Sequence, residues 1–570
     1  MVADRTAVRA QDVPRPVVAP PVLQGSPLPG VVQPQQPNLA PGLARPPRPT
    51  APAPVTGGET HAISHVVITG ATAFPPGQLT ALTRDLTGPA VPEAQVEASR
   101  DAIVDLYRSQ GYAFTTVQAT IQGDTVSFQV IEGYVADVKL DGDIGPAGTQ
   151  VLRFLRHLVG QTPLNTSELE RWLLLAQDIP GLTVRSVLNP SEGDPGALTL
   201  IARVSRKAVD GYLSMDNRAY QYVGPKQGLL VLNMNSFTQF GEQTQLSLYG
   251  ALSATNFFGQ VSEELFVGGS GLKFRIYGGG GRSTPSGPLA DLGFRGRTDV
   301  FGASLAYPVI RSRAQSLVLN LAFDALENNN SELFGTSGRQ RTSYDSLRVF
   351  RFGEDYAVLD TLLGADRTGI NSFSAKISQG ISGLGASSNN DVWTPPPRIG
   401  ETLTFTKISG ETARTQTLFQ PYADATVAAV GRVGWQYSNV LLPPAEKYYL
   451  GGPQFNRGYY FGQVSGDSAV TIAAELQLNT GLPMPKPIPW DVRSQFYLFY
   501  DWGQAWQNTK LEADVVLRSW GAGVRFFVST GTEIDFEGVY RQNRYPNGGQ
   551  SIGYPALSSA AFYWQLLQRF

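Results

Sequence analysis

At 570 residues the chain is long enough for several soluble domains, yet only 16% of its residues are charged and its formal net charge is −2, which gives no support to a nucleic-acid partner. Cysteine is absent, which excludes disulfide scaffolds, thiolate metal sites and cysteine nucleophiles. No run of about 18 apolar residues is present to cross a bilayer as a helix, whereas 61 glycines, 23 tyrosines and 28 phenylalanines suit many short strands and turns with aromatic residues at a membrane interface.

The opening MVADRTAVRAQDV lacks the apolar stretch of a secretory signal, so the start reads as trimmed or misassigned. Residues 1–55 are rich in proline (VPRPVVAPPVLQGSPLPG, then PPRPTAPAP), which neither helix interiors nor sheet ladders accept. They read as a disordered tether, with no amphipathic helix legible in it.

Two small α/β modules follow, over 56–134 and 135–205. In the first, ISHVVITG alternates as a strand, PPGQLTALTRDLTG and PEAQVEASRDAIVDLYRSQGY carry apolar residues at helical spacing, and FTTVQATI and DTVSFQVIEG return to period two. Ala98, Ile103, Leu106 and Tyr107 fall near one helical face, and Gly111 sits where a glycine ends such a helix. The order repeats in YVADVKLDGD, TQVLRFLRHLVG, TSELERWLLLAQDI, LTVRSVLN and ALTLIARVSR, with Asn165 and Glu168 spaced as a cap before the second helix and Gly181 after it. A repeat of roughly 70 residues results. The phrases YRSQGYAF and IEGYVADVKLDGD resemble POTRA domains, which implies periplasmic modules that receive extended polypeptide along an exposed strand edge.

From 206 to 570 the texture is strands and turns. In SLVLNLAFDAL, Leu317, Leu319, Leu321 and Phe323 share one face and Val318, Asn320, Ala322 and Asp324 the other. In GTEIDFEGVY, Glu533, Asp535 and Glu537 oppose Ile534 and Phe536. Alternation alone also fits a soluble sandwich, but about sixteen strands without interleaved helices, several near ten residues long, favour a closed membrane barrel with an apolar outside and a polar lumen. The last strand, AAFYWQLLQRF, ends on Phe570, and a terminal aromatic there resembles the assembly signal of bacterial outer-membrane barrels.

The segment LGGPQFNRGYYFG within 440–470 resembles the signature of the POTRA-plus-barrel superfamily, in which an Arg-Gly-aromatic triplet tips a long loop folded into the lumen. FYDWG, residues 499–503, resembles that superfamily's Phe-x-Asp-x-Gly strand motif, and SMDNRAY, ISQGISGLGAS and GWQYSNVLLPPAEKYYLGG add further matches. Two POTRA units narrow the resemblance to two-partner secretion transporters, the TpsB class, over about residues 56–570. Asn456 stands where the pattern usually has valine. The resemblance implies an outer-membrane pore, monomeric and without cofactor, that exports a large exoprotein of the adhesin, cytolysin or haem-binding class. Its further partners would be outer-membrane lipid and, during biogenesis, the barrel-assembly machinery. A barrel-assembly insertase is the rival within the superfamily, and a passive porin or surface receptor the rival outside it.

The residues themselves suggest what the loop does. Phe496, Leu498, Tyr500 and Trp502 share the lipid-facing parity of their strand, so Asp501 and Gly503 face the lumen. A planar guanidinium matches a carboxylate in two-pronged fashion, which makes Arg457 the expected latch on Asp501. Gly451, Gly452 and Gly458 permit tight turning, and Tyr459 and Tyr460 pack the loop on the wall. No hydrolase, metalloprotease or nucleotide-binding motif occurs, His61 and His65 lack a third ligand, and the Glu533, Asp535, Glu537 series reads as lumen wall. A transporter, not an enzyme, is the expectation.

Overall fold

The computed structural model describes residues 59–570 apart from 287–289, 291–292, 335–336, 389–395, 399, 483–491 and 547–555, and ahead of these only 22–23, 26–27 and 39. The proline-rich tether expected over 1–55 thus falls almost wholly outside the described residues.

The first α+β unit is built on the helix Glu93–Ser109, whose Val96, Ile103 and Tyr107 are buried at i, i+7 and i+11 against a three-stranded sheet. Ala98, assigned to that face from the sequence, is exposed, because it lies about 200° round the helix from Val96. Gly111, at φ 90°, ends the helix: its N–H donates to Arg108 O (3.1 Å) and that of Tyr112 to Tyr107 O (3.0 Å), the paired bonds that close a helix on a left-handed residue. The sheet has Thr125–Ile131 in the centre, parallel to His65–Thr69 and antiparallel to Thr116–Gln122. Residues 63–70 form parts of two strands, not one, and Thr60–Ile63 pairs with an unforeseen strand, Gly88–Pro92. Its two prolines are tolerated because, among the described residues, this strand has a neighbour on one side only.

The second unit repeats the plan, with Ala197–Arg206 between parallel Tyr134–Asp141 and antiparallel Leu182–Pro190 and the helices Gly148–Leu155 and Thr166–Gln177 covering one face. Asn165 caps the latter helix by accepting from Ser167 N (2.8 Å). Glu168 does not complete the capping box, because Trp172 one turn on donates its indole N–H to that carboxylate (3.1 Å). Within the core formed by Val151, Phe154, Leu155, Leu158 and Leu175 sits Phe266, a residue of the barrel. One buried phenylalanine contributes about 1.5–3 kcal/mol, and polar contacts fix the angle of docking: Arg311 spans Asp178 with two bonds of 2.7 Å, and Gln150 donates to Gly268 O (2.9 Å).

Sixteen antiparallel strands, from Val209–Asp216 to Ala560–Arg569, close the barrel. Period two sets the faces: Leu321, Leu498 and Phe562 are 49%, 61% and 59% exposed on the outside, while Asp324, Gln495 and Tyr563 turn into the lumen. Some strands far exceed ten residues; Gln315–Leu333 and Arg339–Asp360 pair for most of their length and carry the wall well beyond one rim. First and last strands meet from Tyr212↔Arg569 to Asp216↔Gln565. Phe570 extends that seam by exchanging backbone bonds with Gly211 (3.0 and 3.1 Å), where a side chain on residue 211 would meet the phenylalanine ring.

Between the two units, Glu132 is buried and accepts from Thr72 N (2.7 Å), Ala73 N (3.0 Å) and Tyr107 Oη (2.6 Å). Burial alone would raise its pKa, but the bonds from Thr72, Tyr107 and Ala73 outweigh burial and hold the carboxyl below the ordinary Glu value. Its stabilisation is therefore complete above the unfolded-state pKa and is lost as pH falls through the lower folded value. Glu132→Ala leaves those donors unanswered and is expected to cost about 1–3 kcal/mol. Amide-exchange protection at Thr72 and Ala73 in the intact chain should drop accordingly, and the difference from the unaltered protein should shrink as the pH is lowered.

Candidate functional site

Between the strands Ala425–Ser438 and Ser468–Leu482 the chain leaves the wall and re-enters the lumen. Tyr448–Leu450 pairs with Val464–Gly466 as a short stem, and Gly451 and Gly452, at φ 99° and 123°, turn the chain toward a tip at residues 456–459. A side chain at Gly451 would collide with Tyr460 O at 2.1 Å, so the turn also depends on close backbone approach.

At the tip, Arg457 and Asp501 meet in the wall of the lumen, 4% and 0% exposed. The fork is met on both prongs, Nε to Oδ2 at 3.0 Å and Nη2 to Oδ1 at 2.8 Å, and the backbone N–H of Arg457 adds a third bond to Oδ2 at 2.7 Å. Its remaining nitrogen, Nη1, donates to Glu475, and the guanidinium lies 3.8 Å from the centre of the Phe499 ring. Asn456 sets this geometry from the preceding position. Its φ of 53° is a left-handed conformation that asparagine tolerates and a β-branched valine resists. Gly503 completes the fit, since a Cβ there would lie 2.4 Å from Asn456 Oδ1.

The tip's own backbone is held from other strands. Gly458 N–H donates to Ser519 Oγ (3.1 Å), Gly458 O accepts from Arg541 and from Tyr563 Oη (3.2 Å), and Arg457 O accepts from Arg218 Nη1 (2.8 Å). Tyr459, fully buried, donates between Arg518 O and Asn543 O (3.0 Å each), and Tyr460 meets Tyr563 edge to face at 6.0 Å. Arg218 also pairs with Glu537 (2.7 Å), while Arg525 bridges Glu475 (2.9 Å) and Asp535 (3.2 Å). Beneath the tip a cavity is lined by Arg457, Arg432, Glu475, Glu533, Asp535 and Glu537.

Sequence reasoning singled out Arg457, Asp501, Gly503, Gly458, Tyr459, Gly451 and Gly452, and the fold brings all of them to this loop and the wall behind it; Phe570 lies apart, at the seam. It missed Arg218, Arg541, Ser519 and Glu475 as partners of the tip. Arg218 stood inside the quoted SMDNRAY, but its partner is 319 positions away, and only the pairing register discloses it. His61 and His65 lie on strands of different sheets, and among the described residues no cluster of three or more His, Asp or Glu is arranged to hold a metal.

With this geometry in hand, the chain matches over residues 199–526 the family described as haemolysin secretion/activation protein ShlB/FhaC/HecB, and over 61–133 the ShlB-type POTRA domain. It is similar to the heme/hemopexin transporter protein HuxB of Haemophilus influenzae, 23% identical over 474 residues that cover 79% of this chain and 78% of that one. Among solved structures, CdiB from Escherichia coli superposes with a TM-score of 0.69 at 17% identity, covering 92% of this chain and 93% of that chain. CdiB from Acinetobacter baumannii gives 0.61 at 14% identity, covering 90% and 91%.

The close fit at Gly503 has a measurable consequence. Gly503→Ala is expected to push Asn456 off the wall and unseat the tip while the strand ladder persists. The bond after Arg457, shielded by burial in the parent, should then become a site of tryptic cleavage in the folded barrel, identified by the mass of the fragments; continued protection would show that the tip accommodates the methyl group.

Proposed function

The chain belongs to the haemolysin secretion/activation family, outer-membrane two-partner secretion pores that export a partner protein, and from that premise we propose that the Arg457–Asp501 pair is the latch that holds this chain's lumenal loop closed. The observation that carries the reading is the triple contact of one arginine, side chain and backbone together, with a carboxylate that has no exposed surface. Other wall contacts of the tip, from Ser519, Arg541 and Arg218, reach its backbone around this pair, so the pair fixes the tip within the lumen that the cargo traverses on this reading.

The family places the barrel in the outer membrane and the two α+β units in the periplasm, where they engage the secreted partner. In each unit's three-stranded sheet the outer strands, His65–Thr69 and Thr116–Gln122 in the first and Tyr134–Asp141 and Leu182–Pro190 in the second, have one strand neighbour each among the described residues. Such edges recognise extended chain through backbone hydrogen bonds, and we assign to them the capture of the partner's unfolded N-terminal region. Adhesins, cytolysins and haem-binding exoproteins are the partner classes this reading covers. The chain acts as a monomeric pore without enzymatic chemistry, and folding of the cargo outside supplies the direction.

Two experiments test this. Arg457→Ala leaves the buried Asp501 without its counter-charge and Asp501→Ala leaves Arg457 with Glu475 alone, at about 3–5 kcal/mol for the first and less for the second. Both variants should reach the outer membrane with heat-modifiable mobility on gels, yet secrete about tenfold less or worse of the partner exoprotein. Arg457→Lys should recover little, because an ammonium reproduces neither prong. The exchange Arg457→Asp with Asp501→Arg, read against the single variants, yields the coupling energy; normal secretion by Arg457→Ala with zero coupling would remove the latch. Separately, the segment 56–205 should bind the partner's N-terminal domain more tightly when that domain is partly unfolded than when it is folded. Equal binding of both would take strand capture out of the mechanism.

A further inference from the structure

The inserted loop has three more buried charges, Glu446, Lys447 and Asp467, and none belongs to the tip. Glu446, in the short turn Pro444–Glu446 just ahead of the stem, is 2% exposed. Arg351 donates to it through Nη2 (2.6 Å) and Nη1 (3.1 Å), Lys407 Nζ lies 2.8 Å from its carboxylate, and its backbone oxygen accepts from Lys407 (2.6 Å) and Gln436 (3.1 Å). Asp467, just after the stem, has no exposed surface. It receives Arg398 on both oxygens (2.7 and 3.2 Å) together with the N–H groups of Leu442 (2.9 Å) and Asn508 (2.8 Å). Arg398 and Lys447 both reach Glu512 on the next connection, at 2.6 and 2.8 Å. The two ends of the stem are thus held by the wall and tied to each other, since Gln436 donates to the backbone oxygens of both Glu446 and Asp467 (3.1 Å each).

These anchors oppose the tip in sign and in place. Glu446 is an anion held by cations of the strands Arg339–Asp360 and Thr406–Phe419; Arg457 is a cation held by anions of Ser468–Leu482 and Val492–Trp506. The left-handed glycines lie between the two sets: Gly451 and Gly452 follow the Glu446 anchor, and Gly462, at φ 63°, precedes Asp467. Torsional freedom therefore starts beyond the clamped stem: the tip's ion pairs lie within Gly451–Gly462, while the stem is seated separately on the same wall by Tyr448 Oη, 3.1 Å from Thr471 Oγ1, and by Leu450 and Val464 packed with Ala469, Ala505 and Leu517.

We infer that Glu446 and Asp467 clamp the root of the inserted loop, so that the moving gate is the segment Gly451–Gly462 alone and the stem stays seated when the tip lets go. The inference rests on the latch reading of Arg457, and it makes Glu446 and Asp467 positioning residues for that latch. Release of one small segment breaks one anchor; release of the whole loop would break three.

Because the chain has no cysteine, single thiols report on each part separately. Ser465→Cys in the stem and Gln454→Cys in the tip segment are introduced one at a time into the full chain, purified in detergent micelles, and their rates of reaction with a charged maleimide are measured. In an Arg457→Ala background the Gln454→Cys rate should rise about tenfold while the Ser465→Cys rate stays within about twofold; with Glu446→Gln and Asp467→Asn combined, the Ser465→Cys rate should itself rise about tenfold. A parallel rise of both thiols in Arg457→Ala would mean the loop leaves as one body, which overturns the clamp and leaves the latch standing. No rise at Gln454→Cys in Arg457→Ala would overturn the latch itself. No rise at Ser465→Cys in the combined variant would overturn the clamp. Heat-modifiable mobility verifies the barrel in each sample, and the isosteric Glu446→Gln alone serves if the combined variant fails to assemble.

Discussion

Burying a guanidinium leaves very little freedom to what surrounds it. Taken out of water, Arg457 requires a counter-charge and an acceptor for each prong of its fork, and the deficit is several kcal/mol if one is missing. Asp501 and Glu475 meet that demand, and the ring of Phe499 covers the guanidinium's flat face. The local chain follows from it. The Arg457 N–H must point at the same carboxylate, which is compatible with the left-handed Asn456; Asn456 in turn needs the bare backbone of Gly503; and Gly458 must lie against Ser519, where a side chain would meet that residue's Cβ at 2.5 Å. One desolvated charge thereby selects the residue types on either side of it and on the facing strands.

Much of this was legible because a strand has period two. Once Phe496, Leu498 and Tyr500 were assigned to lipid, Asp501 had to point inward, whatever the register of the neighbouring strands. Glu475, Ser519 and Arg541 were out of reach because their approach to the tip depends on strand register and on how deep the loop descends, neither of which alternation reveals. The α+β units show the same division. Gly111 closed its helix as its position indicated, since a left-handed stop is a local requirement. The Glu168 carboxylate was claimed by Trp172 one turn along, a competition between two local partners that spacing alone does not decide. Gly88–Pro92 escaped notice because prolines argue against a strand unless it is known to lie at an edge.

The second unit's attachment to the barrel bears on how cargo meets the pore. Phe266, the last paired residue of its barrel strand, reaches into the core of the second unit, and Arg311 and Asp178 fix the direction of approach. That unit is therefore set on the barrel's rim as a packed extension of it and not as a pendant domain, with its strand edges at a fixed bearing to the mouth. The first unit is joined to it through backbone bonds at Gly133 and Gly111, reaching Leu164 and Thr166. A partner engaged by these units meets the mouth from a defined side.

The choice of ion pairs for the loop, in place of an apolar plug, has a physical rationale. An apolar surface that leaves a well-packed wall loses about 25 cal/mol for every Å² it exposes, with nothing in water to offset the loss. A buried ion pair differs, because desolvation has already consumed most of its Coulombic attraction, and each partner recovers hydration on release. Such a contact is demanding about geometry and undemanding about net free energy, so it specifies one seated conformation without making departure prohibitive. Removing one partner is a different matter, since the remaining charge stays buried with nothing to answer it. On the latch reading we propose, a loop that holds one closed position and still yields to a passing chain is served by that asymmetry, and pairs at the tip and at both ends of the stem let the number of contacts broken, more than the strength of any one, set how much of the loop moves.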